Sequence, residues 1–151
     1  MTNKVIAFGC DHAGLPLKKI LMEAAQAFDH YVIDLGTHST DSVDYPDFAH
    51  KVADALKTGE AALGVLICGT GIGMSMAANR HPDIRAAVCH DVHSAHQCVE
   101  HDDVNVMCIG AQIVGPWLAK DLIAAYLHAK FSTAEEFRRR VAKLADMDAG
   151  R

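Results

Sequence analysis

The chain has 151 residues, 50% of them hydrophobic and 22% charged, with a formal net charge of −5. A chain of this size buries roughly 68–70% of its unfolded surface, enough for one domain over residues 1–151 without disulfide staples or a structural metal. The acidic balance excludes a general nucleic-acid binder, which needs a basic face to release counterions, and the run Arg138-Arg139-Arg140 is too short to reverse it.

Met1-Thr2-Asn3-Lys4 leads straight into Val5-Ile6-Ala7-Phe8 without a signal-peptide pattern, and no apolar stretch approaches the ~18–20 residues of a membrane span. A soluble, cytoplasmic chain is the expectation. Short runs rich in Val and Ile alternate with longer amphipathic stretches from end to end, the rhythm of βαβ units around a parallel sheet. Strands are expected near 4–8, 31–34, 62–67, 85–89 and 105–109, and helices at about 15–28, 46–58, 73–80, 92–101, 115–129 and 134–147. Pro46 suits a first helical position, with Phe48, Val52, Ala55 and Leu56 at helical spacing and Gly59 closing the helix. Phe137, Val141, Leu144 and Ala145 make an apolar stripe on the charged last helix, which must pack on its own sheet or on a partner subunit.

Ligands of open α/β sheets bind outside the carboxyl ends of the strands, so the residues just after each strand matter most. After the first strand comes Gly9-Cys10-Asp11-His12-Ala13-Gly14. Asp11 and His12 could form an acid–base pair on a polar ligand, or Asp11 could cap the next helix with His12 at the surface. After the third strand comes Cys68-Gly69-Thr70-Gly71-Ile72-Gly73, whose alternate glycines free backbone N–H groups to turn toward one anion. The stretch lacks the spacing of a dinucleotide fingerprint and the Gly-Lys-Ser/Thr ending of a P-loop. A cysteine at a strand end against a helix N-terminus sits where thiols ionise readily. Beside an oxyanion hole such a thiolate suits carbon-acid chemistry, taking a proton next to a carbonyl while the amides hold the enediolate. A buried structural cysteine in a tight glycine turn is the alternative.

The five cysteines, at 10, 68, 89, 98 and 108, form no C-x-x-C pair, and their odd number points to reduced thiols. The stretch from Cys89 to Asp103 holds His90, His93, His96 and His101 among the chain's ten histidines. A metal- or small-ligand-binding module is one reading of it and a solvated face is another. His101, just before the fifth strand, is the better candidate for proton transfer at the mouth of the sheet.

Taken together with Asp44-Tyr45-Pro46, Ala77-Ala78-Asn79-Arg80 and Asn105-Val106, these motifs make the chain resemble the ribose-5-phosphate isomerase B family, which includes the galactose-6-phosphate isomerase subunits. The resemblance implies a Rossmann-like three-layer α/β/α sandwich with a five-stranded parallel sheet. It implies a homodimer or dimer of dimers with sites at the subunit interface, and aldose–ketose isomerisation through a cis-enediolate without metal or other cofactor. Ribose 5-phosphate and ribulose 5-phosphate, of the pentose phosphate pathway, are the expected substrates. By the same resemblance Cys68 is the base, Thr70 assists proton movement on the substrate oxygens, and the amides of Gly69, Gly71, Ile72 and Gly73 form the enediolate hole. Asp11 and His101 match the pair implicated in ring opening; His12, Tyr45, Asp102, Arg138 and Arg140 are expected to bind substrate.

Three departures stand out. Asp102 replaces a usual asparagine, Gln112 a usual arginine, and Glu136-Phe137 the usual arginine and histidine of the last helix. An acceptor-only carboxylate at Asp102 and a repelling one at Glu136 open the alternative of another substrate. A tetrose or hexose phosphate such as erythrulose 4-phosphate or galactose 6-phosphate, or a free sugar such as allose, is then the expectation.

Overall fold

In the computed structural model, which describes residues 2–150, the apolar runs form β1 (Val5–Cys10), β2 (Tyr31–Asp34), β3 (Leu63–Cys68), β4 (Ala86–Val88) and β5 (Val106–Gly110). All pairings are parallel, in the order β2-β1-β3-β5-β4. Between and after them run α1 (Leu15–Ala27), α2 (Tyr45–Lys57), α3 (Ile72–Ala78), α4 (Val92–Asp102), α5 (Pro116–His128) and α6 (Glu135–Ala149). This is the expected three-layer α/β sandwich. β1 and β5 each extend two residues and one residue further than expected, through Gly9 to Cys10 and to Gly110. Gly9 and Gly110 lie in ladders with Leu66 and Cys68, so pairing overrides the weak strand preference of glycine.

Alternation along the strands sends side chains to two cores. Ile6, Phe8, Val65, Ile67, Met107 and Ile109 meet α1, α4 and α5 on one face. Ala7, Leu66, Cys68, Val106 and Cys108 meet α2 and α3 on the other. α1 is anchored by Leu17, Leu21 and Ala25, one face at four-residue spacing, and each fully buried leucine is worth about 1.5–3 kcal/mol. Tyr126 of α5 is fully buried and donates its hydroxyl to the Gly64 carbonyl at 3.3 Å, tying α5 to β3.

α6 is built differently. None of its residues is buried. Leu144 of its stripe and Met147 border an open cavity beside Ala86 and Ala87 of β4 and bury nothing fully there. Its ring Phe137 stacks on His101 of α4 at 4.0 Å and 13°, and near its end Asp148 accepts the Asp83 N–H at 2.9 Å. Leu144 and Met147 stay 45% and 69% exposed. Among the described residues no helix is long and apolar enough to cross a membrane.

Candidate active site

β2 lies on one side of β1 and β3 on the other, so the chain reverses its winding between β1 and β3 and opens a crevice at their carboxyl ends. Cys10 pairs with Ile67, and the Asp11 N–H bonds the Ile67 carbonyl at 3.3 Å, which sets Asp11 beside Cys68. Gly14 makes this approach possible, since a Cβ there would lie 2.1 Å from the Ile67 carbonyl oxygen. The Asp11 carboxylate is buried, and its Oδ1 accepts the Gly14 N–H at 3.0 Å, closing the turn before α1. The turn role and the crevice position therefore belong to the same carboxylate.

The loop after β2 forms one wall. Leu35 and Thr37 bond the Phe8 and Cys10 carbonyls at 2.8 and 3.0 Å. Buried Lys18 pairs with Asp34 at 2.9 Å and donates to the Thr37 carbonyl at 2.6 Å. Further along, His12 Nδ1 accepts the Val43 N–H at 3.2 Å. An acceptor at Nδ1 leaves the proton of the neutral ring on Nε2. The wall ends at Tyr45, whose ring lies so close to the start of α3 that a Cβ on Gly73 would meet it at 2.7 Å.

Cys68 is 5% exposed at the end of β3, and its Sγ accepts the Gly71 N–H at 3.1 Å. Gly71 reaches it with φ at 78°, a left-handed conformation that suits glycine. Thr70 Oγ1 accepts the Ile72 N–H at 3.3 Å. Of the amides expected to surround one anion, Gly71 thus faces the sulfur and Ile72 the threonine hydroxyl. The first is spent on Cys68 itself. The Gln112 side-chain amide lies over Gly69, where a Cβ would come within 2.9 Å of it, a neighbour that the sequence marked only as a departure.

The remaining thiols are set apart by their surroundings. Burial pushes Cys10 up to about 11, and burial also raises Cys108. The Cys89 and Cys98 sulfurs lie 3.7 Å apart, and the bond Cys89 shares with Cys98 favours charge on Cys89 at the expense of its partner.

The expectation that His101 stands at the mouth of its own sheet is corrected. α4 returns antiparallel to the strands and ends where β5 begins, whereas Cys68 pairs with Gly110 where β5 ends. Five residues of strand separate the two, about 13 Å. Asp102 lies at that far end as well, in a cavity with Ile84, Arg85, Val104, Leu144 and Met147. Arg138 and Arg140 are exposed on α6, their guanidinium groups over the rings of Phe131 and Phe137 at 4.7 and 5.7 Å. One chain gathers Asp11, His12, Tyr45 and 68–73, and leaves His101, Asp102, Arg138 and Arg140 apart. In the 89–103 stretch the histidines point to separate partners: His93 to Gln97, His96 to Glu100 and His101 to Phe137. Among the described residues no three His, Cys, Asp or Glu side chains are arranged to hold a metal ion.

A family model described as ribose/galactose isomerase matches residues 6–144. The chain is 45% identical over 128 residues to ribose-5-phosphate isomerase B of Escherichia coli, covering 85% of this chain and 86% of that protein. It is 41% identical over 127 residues to the D-erythrulose-4-phosphate isomerase of Pectobacterium atrosepticum, covering 83% and 84%. The solved structure of Clostridium thermocellum ribose-5-phosphate isomerase B superposes with a TM-score of 0.93 at 42% identity, over 97% of this chain and 98% of that one. With the family's fold and a thiol-bearing glycine loop in the crevice between β1 and β3, the chain belongs to the ribose/galactose isomerase family and is an aldose–ketose isomerase.

Proposed function

We propose that the chain interconverts ribose 5-phosphate and ribulose 5-phosphate, with Cys68 as the base. The observation that carries this reading is the Gly71 N–H on Cys68 Sγ at 3.1 Å, within a glycine loop open to the crevice. The thiolate takes the proton from C2 of the open-chain aldose, and the electron pair forms the C1–C2 double bond of a cis-enediolate. Charge builds on the former carbonyl oxygen, where loop amides meet it; one well-placed donor is worth about 10²–10³ in rate. The Sγ proton then goes to C1, and the O2 proton moves to O1 with Thr70 assisting. Asp11, with His101, opens the sugar ring, while His12 and Tyr45 hold the sugar.

His101, Asp102, Arg138 and Arg140 reach this crevice from a second copy of the chain, whose α4 and α6 close the site. What supports a homodimer is the placement itself: one chain holds these groups at the wrong end of its sheet and leaves α6 without a buried residue. Cys68→Ala abolishes turnover with the fold intact, and retention of most of the ribose 5-phosphate rate would overturn the mechanism. Mixing inactive Cys68→Ala with inactive His101→Asn restores activity in hybrid dimers, because one of their two sites is whole. No recovery on subunit exchange would sink the shared site.

A second reading, the same chemistry on a tetrose or hexose phosphate, is favoured by Gln112 over Gly69, a neutral amide suited to a hydroxyl as much as to a dianion. A panel of C4 to C6 aldoses and ketoses, with and without phosphate, separates the two. In that panel Gln112→Arg and Glu136→Arg lower KM for ribose 5-phosphate if it is a poor substrate.

A further inference from the structure

We propose that His90 is a positioning residue for the catalytic loop, holding the backbone floor on which Cys68 and Thr70 rest. The proposal builds on the reading of Cys68 as the base.

β4 is the short edge strand of the sheet and stops at Val88, two residues before β5 does. The last regular link between them is the Cys89 N–H on the Cys108 carbonyl at 3.1 Å. A longer β4 would offer its next carbonyl to the Gly110 N–H. Instead the imidazole of His90 turns in, and its Nε2 accepts that N–H at 2.9 Å. Gly110 is buried, so its donor needs a partner, and His90 supplies it.

Gly110 is also the contact point of the loop. It is the β5 partner of Cys68. A Cβ on Gly110 would lie 2.6 Å from Thr70 Cα and 2.8 Å from the Gly69 carbonyl oxygen. The next two amides, of Ala111 and Gln112, donate to the carbonyls of Cys68 and Gly69 at 2.9 and 3.0 Å. Residues 110–112 thus carry the close contact with Thr70 and Gly69 and the bonds to the Cys68 and Gly69 carbonyls, and His90 fixes the first of them from the side opposite the loop. A displacement of even 1 Å at reacting groups costs on the order of a hundredfold in rate.

The contact requires an unprotonated Nε2, with the ring proton on Nδ1. Burial holds His90 below the usual imidazole range, against the opposing pull of Asp91 at the start of α4. Asp91 is itself engaged by Ser94, from both its backbone N–H and its hydroxyl at 2.7 Å. In acid the ring gains a proton at Nε2, the acceptor is lost, and two donors face each other.

Two measurements test this. In the wild-type protein, the Gly110 amide resonance is followed against pH with the ring signals of His90; the two titrate together, and a Gly110 signal indifferent to His90 overturns the proposal without any variant. His90→Leu, which cannot accept, lowers kcat by about ten- to a hundredfold with KM within about threefold. His90→Gln, whose carbonyl can accept the same N–H, recovers most of that loss and removes the acid limb due to His90. Wild-type kcat in His90→Leu, or equal losses in the two variants, overturns it. Failure of the underlying reading looks different: there Cys68→Ala retains turnover while Gly110 still follows His90.

Discussion

The two halves of the proposed site are built on opposite structural logics. Around Cys68 the loop 68–73, Asp11 and His12 sit at or just after strand ends, locked by glycines with no room for a side chain: Gly14 on Ile67 and Gly110 on Thr70. Around His101 the groups ride on α4 and α6, where aromatic and cationic contacts replace burial. The first half is preorganised by the core, and preorganised donors act without reorganisation cost. The second half is a surface of the single chain, and in the proposed dimer the partner chain would complete its geometry. In the proposed mechanism the base and the loop amides belong to the rigid part, while ring opening and sugar binding draw on both.

That contrast breaks most sharply at Gly14. Gly14→Ala drives a Cβ into the Ile67 carbonyl, where backbone has to move; a loss on the order of 3 kcal/mol in urea unfolding and loss of turnover are expected. At Gly73 the obstacle is the Tyr45 ring, which is 39% exposed and can swing away. Gly73→Ala therefore raises KM by about tenfold while stability holds or rises, since alanine favours a helix by about 1 kcal/mol. Phe137→Ala probes the surface half: the unfolding free energy shifts by about 1 kcal/mol or less, and if it falls as far as in Gly14→Ala, the contrast between the halves is wrong.

The smallest effect is in pH. Burial lowers the folded-state pKa of His30, His81 and His90 below the ordinary 6.5. Each contributes stability that is complete above 6.5 and is lost as pH falls through its folded value, because the unfolded chain then binds more protons. The urea midpoint declines in that window, and His81→Gln flattens the decline in part without touching the crevice.

Most of the fold could be read from the sequence. Tyr31–Asp34 coincides with its expected span, and each helix falls within two residues of expectation at either end. Where reading stopped short, at Gly9 and Gly110, the ladder and not the residue decides the backbone. The glycine loop was legible because its period is local. The position of His101 was not: a residue just before a strand lies at the amino end of a parallel sheet, opposite the mouth, and only the direction of α4 makes that plain. His90 escaped as well, grouped with histidines that lie on the surface, because its partner is a backbone N–H twenty residues away.

The burial of the cysteines has a practical corollary for chemical probes. Cys10 and Cys108 are sealed at 0% exposure and kept as neutral thiols, and Cys89 and Cys98 face each other inside the fold. An electrophile shaped like the sugar, delivered to the proposed site, is expected to meet the Cys68 sulfur alone. Covalent labelling by such a reagent therefore titrates intact sites and counts them directly, even in a preparation where all five cysteines are reduced.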